Sequence, residues 1–228
     1  MLASLCFAEC GLSAREDCQY ATMENDIQKH WDQAYAEKDE SRLSWHQDDP
    51  AVSLELSALA GVTTSSSVID IGGGRSRFAA SLSKKGLTDI CVLDISAVAL
   101  EMARKALGDS GKTIDFIAAD VTSWTPGRTY DLWHDRAVFH FLVSDRDQTA
   151  YIDRMTQAIT PGGHAIIATF DLDGPEKCSG LPVVRYSPQS LSDRLGRKFT
   201  PITARHSSHE TPWGTAQSFQ FSLFRKDA

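Results

Sequence analysis

The stretch from Val68 to Phe78, V-I-D-I-G-G-G-R-S-R-F, restricts this chain more than any other. A short apolar strand, Val68 to Ile71, runs through Asp70 into three consecutive glycines and then into helical spacing. Gly72, Gly73 and Gly74 lack a Cβ, so the backbone can take positive φ there and approach a ligand closely. A helix opening near Ser76 aims its free N–H groups at the same place. This is the layout of a nucleotide-cradling turn.

Strand and helix patterns alternate downstream. Phe78, Ala79 and Leu82 mark the inner face of the first helix, which Lys84-Lys85-Gly86 ends. Ile90 to Leu93 is a second strand, followed by a helix that Ser96 caps and that runs to Leu107. Ile114 to Ala118 and Tyr130 to His134 are the third and fourth strands. Ser144 caps the next helix, with Ile152, Met155 and Ile159 inward, and Pro161-Gly162-Gly163 opens a fifth strand, His164 to Phe170. After a long loop, Asp171 to Tyr186, a short helix runs from Ser187-Pro188 to Gly196. Strands near Ile202 to Arg205 and Ser218 to Phe224, with Ser207 to Gly214 between them, suit an antiparallel hairpin. Together these imply an α/β fold, a doubly wound and mostly parallel sheet covered on both faces. Ligands of such sheets bind beyond the carboxyl ends of the strands, and the glycine turn lies at that end.

A length of 228 residues suits one such domain rather than two. We divide the chain into a loose extension, residues 1–22, a helical arm or lid, 23–61, and the main domain, 62–228. The extension sets one arginine against Glu9, Glu16 and Asp17 and lacks the basic start and apolar core of a secretory signal. Met23 opens a clean helical pattern and is an alternative start. In the arm, Ile27, Trp31, Ala34 and Tyr35 share one helical face, and Pro50 to Ala60 forms a second helix with Leu56, Leu59 and Ala60 inward. A net charge of −7 argues against nucleic acid as a partner, and no apolar run reaches membrane-spanning length. Five cysteines in this spacing form no disulfide framework, which suits a reducing cytoplasm.

The residues around the glycines narrow the ligand. A dinucleotide fingerprint needs a third glycine where Arg77 stands. Asp70, two residues before the turn, suits an amino-bearing or cationic ligand rather than a pyrophosphate. Asp94, followed by Ile95 at the end of the second strand, suits a ribose diol. Asp120 can accept from an adenine amino group while Val121 lines the ring. The set favours S-adenosylmethionine.

With these motifs, L-D-I-S, A-A-D-V, Y-D-L-W-H-D-R-A-V-F-H-F-L and P-G-G-H, residues 65–170 resemble a class I S-adenosylmethionine-dependent methyltransferase. The resemblance implies a Rossmann-like seven-stranded sheet in the order 3-2-1-4-5-7-6. It assigns Asp70, Gly72, Gly73 and Gly74 to the methionine side, Asp94 and Ile95 to the ribose, Asp120 and Val121 to the adenine, and sets His134 beside the sulfonium. Ser76 departs from the family's D-x-G-x-G-x-G pattern but can still cap a helix. S-adenosylhomocysteine would be the product.

Methyl transfer from a sulfonium is an in-line displacement that needs alignment and, for some acceptors, a base, with no metal. His134 and Asp135 are the candidate bases, and His140 reads as a packed residue. Tyr35, Trp45, His46, Cys178 and His209 are candidate acceptor contacts. Cys178 with His206 or His209 could form a soft metal or substrate site, against the plainer expectation of a lid and an exposed turn. The expected function is methyl transfer to a small molecule or a protein side chain. A noncatalytic S-adenosylmethionine-binding or partner-binding module, and more distantly an NAD(P)-dependent oxidoreductase, are the alternatives.

Overall fold

Strands without polar alternation become the buried middle of the sheet. β1 (Ser67–Ile71), β2 (Asp89–Asp94) and β4 (Tyr130–Arg136) are buried along most of their length in the computed structural model, which describes residues 26–37, 43–47, 49–75 and 77–227. Parallel strands covered by helices on both faces have this character. The predicted extension, the alternative start and the Ser76 cap lie outside the described residues.

With β3 (Ile114–Ala118), β5 (Ile159–Phe170), β8 (Phe199–Glu210) and β9 (Ala216–Lys226), the sheet runs in the order β3-β2-β1-β4-β5-β9-β8. The first five strands pair in parallel, and β9 lies antiparallel between β5 and β8. This is the expected seven-stranded order. The last two strands are numbered eight and nine because a ribbon, β6 (Lys177–Cys178) with β7 (Leu181–Pro182), forms within the predicted long loop. The chain leaves β1 toward β2 on one side while β4 pairs on the other, so the switch point is at the carboxyl ends of β1 and β4.

Among the described residues six α-helices flank the sheet: α1 (26–37), α2 (Ala51–Leu59), α3 (Arg77–Lys84), α4 (Ala97–Leu107), α5 (Asp145–Ala158) and α6 (Pro188–Leu195). Ser96, Ser144 and Ser187 accept from backbone N–H groups at the starts of α4, α5 and α6, as their spacing predicts. One core, around Trp133, Phe139 and Tyr151, fills one face of the sheet, and a second, around Leu56, Phe78 and Leu132, fills the other. No helix among the described residues is long and apolar enough to cross a membrane.

Three local expectations are corrected. α5 ends at Ala158 and Ile159 already belongs to β5, so the buried helix face is Tyr151, Met155 and Ala158. Tyr151 is drawn inward by polar partners beneath it, which hydropathy alone does not register. On α2 the inner face is Ser53, Leu56 and Ser57, and Leu59 points out at 56% exposure. The hairpin strands extend to Glu210 and resume at Ala216, leaving a turn closed by Thr211 and Thr215. β8 is an edge strand with polar residues along it, so its far half carries no apolar pattern to read.

Candidate functional site

The glycine turn is wedged between three elements. The Gly72 and Gly73 N–H groups donate to the Leu93 carbonyl at 2.7 and 3.3 Å, tying the turn to the end of β2. Gly72 has φ +60°, and a Cβ there would run into the Val138 side chain. Gly74 has φ +45°, and a Cβ there would strike the Tyr35 hydroxyl and approach Asp94 to 3.2 Å. Only glycine fits both positions.

Asp70, on β1, is buried, and its Oδ1 lies 2.6 Å from Nδ1 of His134 on the adjoining β4. Nε2 of His134 lies 2.8 Å from the Ser53 hydroxyl on α2, and the ring stacks on Phe78 with centroids 3.9 Å apart. Both ring nitrogens are therefore engaged, one with Asp70 and the other with Ser53. Asp135 points to the other face of the sheet, as alternation along β4 requires. It accepts from the Val138 and Phe139 N–H groups at 2.8 and 3.0 Å and from the Tyr151 hydroxyl at 2.5 Å. Burial raises its carboxyl to about 6 against these hydrogen bonds. It borders neither of the two cavities described next, and its bonds tie down the loop after β4.

Two cavities meet above the carboxyl ends of the strands. One, of about 640 Å³, is bounded by Asp70, Gly73, Ser53, His46 and His134. The other, of about 810 Å³, is bounded by Asp94, Ile95, Asp120, Val121, Phe141 and Cys178. Tyr35, Trp45, Ile71, Gly72 and Arg136 border both. Asp94 accepts from the Ser96 N–H at 2.8 Å, and burial lifts its carboxyl to about 7 although the Ser96 and Gly74 N–H groups pull it down. Asp120 is oriented by the Thr122 N–H and hydroxyl, both at 2.7 Å.

The arm forms the outer wall. Trp45 packs edge-on against Trp31 and Tyr35 at 5.4 and 5.7 Å, and these residues pack on α4. Asp32 accepts from the Ser96 hydroxyl at 2.6 Å, and His209 from the far hairpin donates through Nε2 to the Ser44 carbonyl at 2.8 Å. Ile27, on the arm's apolar face, is 38% exposed and borders the larger cavity. Pinning and covering are thus done by the same aromatic groups.

Cys178 and the two hairpin histidines have separate roles. Cys178 is buried beside the larger cavity, its thiol pushed up to about 11 by burial. His209 is held on Ser44, and His206 lies at the surface with Nδ1 2.5 Å from Asp171. Among the described residues no cluster of three histidine, cysteine or acidic side chains could hold a metal ion. His140 is fully buried, its pKa driven down to about 3 by burial, and it accepts from the Phe170 N–H at 3.4 Å. It is a packed residue.

Ser53 and Arg136 were not among the sequence candidates. Ser53 carried a weak signal, lying three and four residues before Leu56 and Ser57 on one helical face. Arg136 carried a stronger one, as a cation ending a parallel strand that is buried from Leu132 to Asp135.

The sheet order is that of a Rossmann-like fold, and residues 68–163 of the segment that builds this cleft match the family model described as a methyltransferase domain. Over 104 residues the chain is 30% identical to malonyl-[acyl-carrier protein] O-methyltransferase 1 of Ilyobacter polytropus, a match covering 45% of this chain and 37% of that relative. The chain thus matches less than half the length of its curated relatives. In structure it is similar to the 1,6-didemethyltoxoflavin-N1-methyltransferase of Burkholderia thailandensis, solved with S-adenosylhomocysteine bound. The TM-score is 0.66 at 18% identity, over 100% of this chain and 98% of the other. The N-methyltransferase NodS of Bradyrhizobium japonicum, also solved with S-adenosylhomocysteine, gives 0.64 at 18% identity, over 86% and 97%.

Proposed function

We propose that this chain is an S-adenosylmethionine-dependent methyltransferase of a reducing, cytoplasmic compartment, acting on a small molecule or a protein side chain. The observation that carries this is the line of Asp70, Asp94 and Asp120 along one cleft, beside a glycine turn that admits no side chain. When bound, S-adenosylmethionine supplies a methyl group already activated on a sulfonium. The protein's task is then alignment and exclusion of water.

Asp70, braced by His134 and Ser53, would hold the amino end of the donor and orient the turn. Asp94 would accept from the ribose hydroxyls, which replace the hydration that burial has removed from it. Asp120 and Val121 would take the adenine, with Phe141 lining the same cavity. Tyr35 and Trp45 cover the junction of the two cavities, where donor and acceptor must meet. With His134 and Asp135 committed to other bonds, the site suits an acceptor that is already nucleophilic at neutral pH.

The acceptor atom does not follow from likeness, because the relatives' names span oxygen and nitrogen acceptors. Calorimetric titration with S-adenosylhomocysteine tests the donor site, and turnover of labelled donor with protein and small-molecule fractions of a cell extract tests transfer. We expect one-to-one binding and labelling of one fraction. No heat with either the donor or its product would end the proposal.

A further inference from the structure

Arg136 lines both cavities and has no part in the proposed cofactor site. It closes β4, borders both cavities at their junction, and stands beside Trp45, Tyr35 and Gly72 there. Its Nη1 donates to the Trp45 carbonyl at 3.0 Å, and its guanidinium lies 4.9 Å from the centroid of the Phe219 ring. Its Nε is buried with no hydrogen-bond partner. Among the described residues Arg136 has no carboxylate partner, whereas Arg128, Arg185, Arg194 and Arg205 each have one. A half-buried guanidinium without a counter-ion is unfavourable unless something supplies the charge. Burial lowers its pKa only to about 10, so it stays cationic at neutral pH.

Resting on the methyltransferase proposal above, we propose that Arg136 is the recognition residue for the methyl acceptor, and that the acceptor is a small molecule carrying a carboxylate. With Nη1 committed to Trp45 and Nε enclosed by protein, Nη2 is the group left to meet an anion, and a charge-assisted hydrogen bond from it suits a carboxylate. A carboxylate seated there lies at the junction of the cavities, where the acceptor must be. The surrounding Trp31, Trp45 and Phe141 give the rest of the molecule an apolar, aromatic lining. The donor's own carboxylate is the competing occupant. Arg75 and Arg77 border the cavity of Asp70 and Gly73 and not the larger one, which places cationic groups nearer the methionine end for that purpose.

The test uses the full chain saturated with S-adenosylhomocysteine, titrated with phenylacetate and with phenylacetamide, which has nearly the same shape and no charge. We expect the acid to bind at least tenfold more tightly than the amide, as read by calorimetry and by tryptophan fluorescence. Arg136→Met should erase that preference and change S-adenosylhomocysteine affinity by less than threefold, and Arg136→Lys should restore part of the preference. Equal binding of acid and amide, or no binding of either, overturns the proposal. So does a tenfold loss of S-adenosylhomocysteine affinity in Arg136→Met, which would make the donor's carboxylate the occupant. If the parent protein binds no S-adenosylhomocysteine, the methyltransferase proposal fails separately, and the same acid and amide titration of the free protein still decides whether Arg136 is an anion site.

Discussion

Gly72 and Asp94 carry the sharpest single-residue consequences. A side chain at Gly72 meets two penalties, the left-handed backbone and the collision with Val138. The first is worth about 1–2 kcal/mol and the second about 1–3 kcal/mol. Gly72→Ala should therefore lose roughly 2–5 kcal/mol in urea unfolding. Gly196→Ala, with φ +76° and open space around it, should lose only the first penalty and leave ligand binding intact. Asp94 gives a pH dependence whose sign is fixed by its raised carboxyl. Between about pH 4, the ordinary carboxylate value, and its folded value of about 7, the folded chain keeps a proton that the unfolded chain has released. Its contribution therefore falls as pH rises through that window, and Asp135, raised to about 6, acts in the same direction. Ribose hydroxyls favour the ionised form, so S-adenosylhomocysteine should release a proton on binding and bind more weakly below about pH 7. Calorimetry in buffers of different ionisation enthalpy reads that proton directly, and Asp94→Asn should abolish its release.

Between elements, the informative contacts are those that hydropathy cannot register. The apolar runs of β1, β2 and β4 and the serine caps of α4, α5 and α6 were legible, because burial on both faces and capping each leave a local pattern. The inward turn of Ser53 and Tyr151 was not, since each faces inward for the sake of a partner far away in sequence. The same holds for the candidate bases: alternation along β4 set His134 and Asp135 on opposite faces, but only the fold shows each already engaged. If His134 is a strut, His134→Leu leaves a buried carboxylate short of its partner and should cost roughly 3–5 kcal/mol, whereas Ser53→Ala should cost about 1 kcal/mol. Chemical unfolding of both variants checks the ranking, and equal losses would contradict the strut. The arm makes a parallel case. Ser96→Ala removes both the cap of α4 and the hydroxyl held by Asp32, and should cost about 1–2 kcal/mol. A double-mutant cycle with Asp32→Asn would show coupling only if the arm is held through that bond.

At the scale of the molecule, the cleft joins three parts distant in sequence: the arm at Tyr35 and Trp45, the strand ends at Asp70, Asp94 and Arg136, and the ribbon at Cys178. The sheet order was legible because parallel crossovers admit few arrangements, but the placement of the arm was not, since a two-turn amphipathic pattern does not say which surface it covers. A site built this way should couple ligand occupancy to global stability. The arm packs on α4 and touches the glycine turn, so a ligand spanning both cavities adds contacts to each layer without any new secondary structure. A ligand that binds only the folded chain adds about 2.7 kcal/mol at a hundred times its dissociation constant. For a chain of this length each kcal/mol raises the melting temperature by about 2–4 °C, so saturating S-adenosylhomocysteine should raise it by roughly 5–10 °C. NADH, which the Arg77 position and Asp70 disfavour, should give no shift. Trp31 and Trp45 in the arm and Trp133 in the sheet should report a single transition with ligand bound, because the ligand then ties arm and sheet together. An arm that melts first even under saturating ligand would show that the cavities do not bind it as one site.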